Sequence, residues 1–306
     1  MNEAAAPRLR ELWIRLLLYP GHTLPTAAAP VLVGTGLAVR DGVFAPAPLV
    51  LALLGSWLLH TGGVLTDNHE LLRRHADLPE HPELLAALDR GALRLAHLRL
   101  AALLCMLLGA LPAPWLFARG GWPVLAIGAL GLVASYGYFG RGIAYARHGL
   151  ADPMFLLLFG VVAPASVWWI QAAPAVAVTD VPLAVWIAGL PSAALVVCVL
   201  VIDDVRDREF DRRKGWRTTA VRFGVRGSRI EFTALLAFAY FGPLALWLGL
   251  GMSPAVLLCW LSLPGALAVR GALQRHDTTE MLRPMTPRMA RVAAAHAALF
   301  AIGVAL

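Results

Sequence analysis

Charge is scarce in this sequence. Only 15% of its 306 residues are Asp, Glu, Lys or Arg, against about 25% in soluble globular domains, too few to coat a water-exposed surface of this size. Cysteine is scarcer still. Cys105, Cys198 and Cys259 all lie inside apolar stretches, with no disulfide or zinc spacing among them, which leaves packing as small hydrophobes. Lysine occurs once, at Lys214. No cleavable signal peptide is expected, because Pro20, Gly21 and Pro25 interrupt the first apolar stretch. Nor is there a low-complexity segment or an appended soluble domain, so the chain reads as one domain over residues 1–306.

Apolar residues are abundant instead, at 59% of the chain and a mean hydropathy of +0.68. They occur in blocks that approach or exceed the roughly 20 residues a helix needs to cross a 30 Å hydrocarbon core. The blocks are Leu24–Val39, Ala45–Thr66, Leu100–Ala118, Trp122–Phe139, Pro153–Gln171, Val181–Ile202, Phe232–Gly251, Pro254–Val269 and Val292–Leu306. The expected architecture is all-α, a polytopic membrane bundle of about nine helices. The net charge of +7 raises the question of nucleic acid, but its distribution argues otherwise. Lys and Arg collect before the first block and in alternate loops; only Arg40 and Arg119 fall in the others. That is the positive-inside pattern. It predicts a multi-pass protein of the inner membrane, lipid bilayer around it and no nucleic-acid partner, with the N-terminus and the charged loops cytoplasmic.

Two of those loops hold most of the ionisable residues. One begins TDNHELLRRHADLPEH at Thr66, and the other runs DDVRDREFDRRKGWRTTAVRFGVRGSR from Asp203. The uncharged block Val181–Ile202 ends directly on Asp203 and Asp204, where topology asks only for bases. Asp203, Asp207 and Asp211 follow at spacings of four, which stacks them on one face if the helix continues. Like charges at that spacing destabilise a helix by a few tenths of a kcal/mol, so a compensating cation is expected. Either Arg206, Arg208, Arg212 and Arg213 supply it as a salt-bridged helix, or a divalent metal does. Carboxylates with retained waters suit Mg²⁺, which binds through one or two carboxylates together with substrate phosphates. Arg206, Lys214 and Arg217 would then hold phosphate oxygens.

The first loop is a weaker echo, with Asp67, Asn68, Glu70 and Asp77 as oxygen donors and Arg73 and Arg74 between them. His69, His75 and His81 have no recognised zinc spacing. A third stretch, Tyr136–Asp152, combines Tyr136, Tyr138 and Tyr145 with Arg141 and Arg147. Tyrosine there suits a membrane interface or the stabilisation of a cation. Trp168, Trp169 and Trp186 are candidates for a cavity lining or an interface, and Pro164 and Pro191 for helix kinks.

The run DDVRDREFDRRKGWRTTAV resembles the second aspartate-rich motif of the UbiA-type membrane prenyltransferases. It is nearest to the 1,4-dihydroxy-2-naphthoate polyprenyltransferase branch, whose pattern is N-N-x-R-D-x-x-x-D-R-x-x-G-K-R-T. Arg206, Asp207, Asp211, Arg212, Gly215, Arg217 and Thr218 match it. Tyr136–Gly149 with Phe159, Gly160 and Gln171 is similar to that branch's middle region. Leu24, Pro25, Pro30, Val31 and Gly34 are similar to its first helix. The resemblance implies nine helices around a central cavity and Mg²⁺-dependent transfer, through an allylic cation, of an isoprenyl group from its diphosphate to an aromatic or quinone-precursor acceptor. Carried onto this chain, it implies Asp207, Asp211, Tyr136 and Tyr145 as catalytic and Arg206, Lys214, Arg217, Arg73 and Arg147 as diphosphate-binding. Asp67, Asn68, Asp77, Asp203, Asp207 and Asp211 would be the metal ligands.

The chain departs from that pattern in places. The family's N-D-x-x-D-x-x-x-x-x-D reads Asp67, Asn68, Leu71 and Asp77 here, Asp203 and Asp204 replace an asparagine pair, and Trp216 replaces a lysine. The arginine expected before Pro20 is Tyr19. Other classes remain beside the transferase: a membrane terpene cyclase that shares the ionisation step, an inactive scaffold, and a transporter. Ionisable residues gathered at one membrane face argue against the last. The D-G-x-x-A-R segment of CDP-alcohol phosphotransferases is missing.

Overall fold

The computed structural model describes residues 23–74, 82–91, 93–140 and 142–306. Among them there is helix and turn but no strand. Among the described residues seven helices are long and apolar enough to cross a membrane: Pro46–Arg73 (α2), Leu95–Gly120 (α3), Ala151–Ala172 (α5), Leu183–Arg213 (α6), Thr219–Leu250 (α7), Pro254–Arg275 (α8) and Thr279–Ala305 (α9). Two shorter apolar helices, Leu24–Arg40 (α1) and Trp122–Gly137 (α4), complete the set. Each of the nine apolar blocks read from the sequence therefore falls on a helix.

Burial sorts these helices into layers. Over its apolar window α6 is 83% buried, whereas α3 is only 6% and α2 11% buried. The outer helices turn large apolar side chains outward, among them Leu100, Leu107 and Leu111 of α3. In water that belt would be an aggregation surface; in lipid it is the solvated face. Helix α1 packs on α9 and α5, α6 packs on α7, α9 and α5, and α2 packs on α3 and α4. Without a strong hydrophobic drive between helices in lipid, such packing relies on close van der Waals fit at small residues. At Gly36, a Cβ would lie 2.5 Å from the Ala301 carbonyl oxygen, so α1 and α9 touch backbone to backbone.

The prolines read as kink candidates sit beside real irregularities. In α5 a single π-turn over Leu158–Val162 precedes Pro164. In α6 the helix breaks after Ile187 and resumes at Leu190, next to Pro191. Proline lacks the N–H that would continue the ladder and clashes with the preceding turn. The two irregularities meet, since a Cβ on Gly189 would lie 2.5 Å from the Gly160 carbonyl oxygen. A further break occurs in α7 at Gly224, whose φ of +71° is open to glycine.

Gly189→Ala is expected to destabilise the fold by about 1–3 kcal/mol through overpacking. Gly249→Ala is the control, because a Cβ there meets nothing within 4 Å. Thermal unfolding in detergent, followed by size exclusion, checks the pair; equal melting of the two variants would sink the claim.

Candidate functional site

One large cavity, of about 840 Å³, opens between α1, α2, α4, α5 and α6. Asp67, Asn68, Asp203, Asp204, Asp207 and Asp211 all line it. The i,i+4 ladder is real: α6 runs unbroken from Leu190 to Arg213 and carries the three stacked carboxylates on the cavity side.

Arg206 compensates two of them. Its Nε and Nη2 donate to the two oxygens of Asp207 at 2.7 and 2.6 Å, a bidentate fork, and its Nη1 donates to Asp203 Oδ1 at 2.7 Å. Thr286 from α9 also donates to Asp203 Oδ1, at 2.5 Å. The salt-bridge alternative thus holds for Arg206, while Arg208 and Arg212 pair with Glu209 instead. The remaining carboxylates are held by α7: the Thr219 N–H donates to Asp204 Oδ2 at 3.1 Å, and Thr218 Oγ1 donates to Asp211 Oδ2 at 3.2 Å. Across the cavity, Asp67 Oδ1 is buried without a hydrogen-bond partner. An uncompensated buried carboxylate oxygen is costly, so this atom suits a cation or a ligand that brings one.

Among the described residues no three His, Cys, Asp or Glu side chains gather closely enough to hold a metal by themselves. The donor set therefore fits Mg²⁺ shared with phosphate oxygens and water, which needs only one or two protein carboxylates. It does not fit a closed all-protein cage. Asp67 and Asn68 face the ladder as expected, and Asp77 lies outside the described residues. Glu70 is buried, but it pairs with Arg73 at 2.8 Å and does not line the cavity.

Aromatic rings wall the cavity beside the carboxylates. Tyr138 sits edge-on to Phe139 and Tyr145 at 5.0 and 5.7 Å, and Phe155 stacks on Phe159 at 4.9 Å. Burial raises the pKa of both phenols; for Tyr138 the negative charges of Asp67, Asp204 and Asp203 add to it. Both rings therefore stay neutral at physiological pH. Tyr145 donates to the Ala134 carbonyl at 3.1 Å. Of the two tyrosines expected in catalysis, Tyr145 lines the cavity, whereas Tyr136 is 41% exposed and outside it. Tyr138, one half-turn further on, takes the inward position. The tryptophans stand elsewhere: Trp168 donates to Asp41 at 2.9 Å and Trp169 to the Val176 carbonyl.

Most of the expected phosphate partners lie outside the main cavity. Lys214 caps α6 with its ammonium over the Phe210 ring at 5.3 Å, and Arg73 is paired with Glu70. Arg147 lies over both the Phe139 and Trp216 rings, at 5.2 and 4.9 Å, and the two rings touch each other edge-on. Its carbonyl accepts from the Arg217 N–H at 2.8 Å. Arg147, Arg217 and His148 line a neighbouring pocket of about 510 Å³, and Trp216 lines both this pocket and the main cavity. Among the described residues, Arg206 and Arg283 are the arginines that line the main cavity. The sequence carried no spacing signal for Arg283, which stands at the turn before Pro284 that joins the two segments of α9.

Comparison with known proteins gives one consistent result. A family model described as the UbiA prenyltransferase family matches residues 27–305. The 1,4-dihydroxy-2-naphthoate octaprenyltransferase of Escherichia coli (strain K12) is 28% identical over 301 residues, covering 93% of this chain and 92% of that protein. The enzyme of the same name from Mycobacterium tuberculosis is 32% identical over 226 residues, covering 71% and 72%. A solved UbiA homologue from Archaeoglobus fulgidus, bound to GPP and Mg²⁺, shares the fold with a TM-score of 0.52. It is 17% identical and covers 92% of this chain and 99% of its own.

Arg206→Gln leaves Asp203 and Asp207 without their shared cation. The variant is expected to melt below the wild type in EDTA and to gain more from added Mg²⁺, since a ligand that binds only the folded state stabilises it. Differential scanning fluorimetry measures both shifts, and identical Mg²⁺ responses would refute the compensation.

Proposed function

The chain belongs to the UbiA prenyltransferase family, a multi-pass membrane family, and on that premise we propose that it transfers an isoprenyl group from an isoprenyl diphosphate to a hydroxylated aromatic acceptor of the naphthoate type. The reaction belongs to quinone-precursor assembly and runs inside the bundle, in a single domain spanning residues 1–306. The carboxylate end of the cavity faces the cytoplasm across the inner membrane, as the distribution of Lys and Arg asks. The observation that carries this reading is the row of carboxylates, Asp211 buried and the others partly so, facing Asp67 across an aromatic-walled cavity.

Mg²⁺, when bound, neutralises the diphosphate as charge builds on it. Asp67, Asn68, Asp203, Asp207 and Asp211 are the residues that would hold it. Arg206 and Arg283 supply fixed positive charge in the same cavity lining. When the donor's C1–O bond breaks, its electron pair leaves with the diphosphate and an allylic cation remains. Tyr138, Tyr145, Phe155 and Phe159 present ring faces and edges to it, and a ring face attracts a cation with about 0.5–2 kcal/mol. Because both phenols are neutral, they stabilise the cation without trapping it as an ether. The apolar lining excludes water, which would otherwise quench it.

The test is turnover in lipid nanodiscs with an isoprenyl diphosphate and 1,4-dihydroxy-2-naphthoate. A prenylated naphthalene product and free diphosphate are expected with Mg²⁺ and not with EDTA. Asp207→Ala and Asp211→Ala should each lower the rate by about 100-fold or more. Equal diphosphate release by wild type and both variants would remove the metal-site reading. Diphosphate release with a cyclised hydrocarbon and no acceptor consumed would make the protein a cyclase.

A further inference from the structure

One buried carboxylate stands outside the cavity lining. Asp152, in the first turn of α5, is 7% exposed. Its Oδ2 accepts from Thr219 Oγ1 at 2.6 Å. Among the described residues its Oδ1 has no donor, and neither has Glu231 Oε2 of α7. The two carboxyl groups nevertheless hydrogen-bond to each other. They can do so only with a proton between them, because an ionised carboxylate is an acceptor alone. Asp152 is thereby tied to α7 at two points, Thr219 and Glu231. Between those points α7 breaks at Gly224, so the helical ladder does not by itself fix the first turn of α7 against the rest of the helix. Asp152 bridges the break.

That first turn holds two carboxylates of α6. The Thr219 N–H donates to Asp204 Oδ2 at 3.1 Å, and Thr218 Oγ1 donates to Asp211 Oδ2 at 3.2 Å. Thr218 occupies the N-cap position of α7, yet its hydroxyl does not cap the helix; it is turned to Asp211 instead. The same segment is fixed just upstream. The Arg217 N–H donates to the Arg147 carbonyl at 2.8 Å, and Gly149 approaches the Arg217 carbonyl so closely that a Cβ there would overlap it. One stretch of chain, residues 147–152, therefore grips the α6–α7 connection at both ends.

We propose that Asp152 is a positioning residue for the metal-binding ladder. By holding Thr219 it keeps the Thr218 hydroxyl and the Thr219 amide aimed at Asp211 and Asp204. The proposal rests on the function given above, in which Asp211 holds the metal, and it adds a residue that acts without touching metal or substrate. Partners that orient a ligating group in this way contribute about 10–100-fold to metal affinity. The task needs an acceptor toward Thr219 and a hydrogen bond toward Glu231. It does not need charge. Asparagine offers both, since its oxygen accepts from Thr219 and its NH₂ donates to Glu231. A positioning role is thus separable from that of a metal ligand or a base, because a base would lose its function as asparagine.

The test measures the Mg²⁺ concentration that half-saturates binding of geranyl thiodiphosphate, by calorimetry in nanodiscs, beside thermal unfolding in EDTA. Asp152→Ala and Thr219→Val should each raise the Mg²⁺ requirement about tenfold or more. Asp152→Asn and Thr219→Ser keep the hydrogen bonds and should match the wild type. Because both residues act through one contact, combining Asp152→Ala with Thr219→Val should cost no more than either change alone. Thr219→Val is close to isosteric and carries the comparison where Asp152→Ala does not fold. An unchanged Mg²⁺ requirement in these variants overturns the inference even if they melt lower in EDTA, since that result describes a structural contact only. So does an Asp152→Asn variant as impaired as Asp152→Ala, which would make the charge the working part. A wild type that binds the probe equally in Mg²⁺ and in EDTA removes the metal site proposed above, and this inference with it.

Discussion

A carboxylate inside a lipid-embedded bundle persists only where positive charge or hydrogen bonds reach it, because the hydrocarbon around it offers neither. This chain places five aspartates on one cavity. Arg206 answers Asp203 and Asp207, the Thr219 amide answers Asp204, and the Thr218 hydroxyl answers Asp211. Asp67 retains a buried oxygen with no partner. The compensation is therefore fuller on α6 than across from it, which is the electrostatic condition that the proposed metal and diphosphate site requires.

That requirement explains the rest of the architecture. The ladder keeps its alignment because α6 is the most enclosed membrane helix and runs unbroken through the polar segment. The irregularities are pushed to its far end, where the break before Leu190 packs against the π-turn of α5 through Gly160 and Gly189. One helix is thus straight where it presents charge and broken where it meets its neighbour. The π-turn also carries cavity-lining residues, Leu158, Phe159 and Val162, so the widening of α5 shapes the apolar zone directly.

Much of this was legible in the chain, since hydropathy and charge asymmetry act over whole segments. All nine blocks fall on helices, and a period of four on a continuing helix could only stack Asp203, Asp207 and Asp211. What escaped were features that depend on one local turn. After Gly215, with φ at +73°, the chain reverses, and Arg217 joins Arg147 beside Trp216 instead of entering the main cavity. No spacing rule carries through that reversal. Tyr136 and Tyr138 exchange roles because two residues at the end of α4 are about half a helical turn apart, so only one of the two rings can face the cavity.

The departures from the family pattern take on a different meaning once the cavity is assembled. Read loop by loop, Asn68 and Leu71 look like losses, since the pattern has aspartate at both places. Read across the cavity, they are balanced. Asp67 stands where the pattern has asparagine, and Asp203 and Asp204 stand where it has an asparagine pair. The first loop gives up two carboxylates and gains one at Asp67, and two more appear on the facing helix at Asp203 and Asp204. A cation shared by both walls responds to the sum of the charge around it more than to which helix carries it, because at these separations Coulomb attraction falls only as the inverse of distance. The shift has a structural cost, since crowding four aspartates onto α6 raises like-charge repulsion along one face. Arg206 and Thr286, bonded to Asp203, and the Thr219 amide, bonded to Asp204, fall on the two positions where the charge was added. Arg206 belongs to the pattern itself and the Thr219 donor is a backbone amide, so both aspartates stand where a partner is already in place.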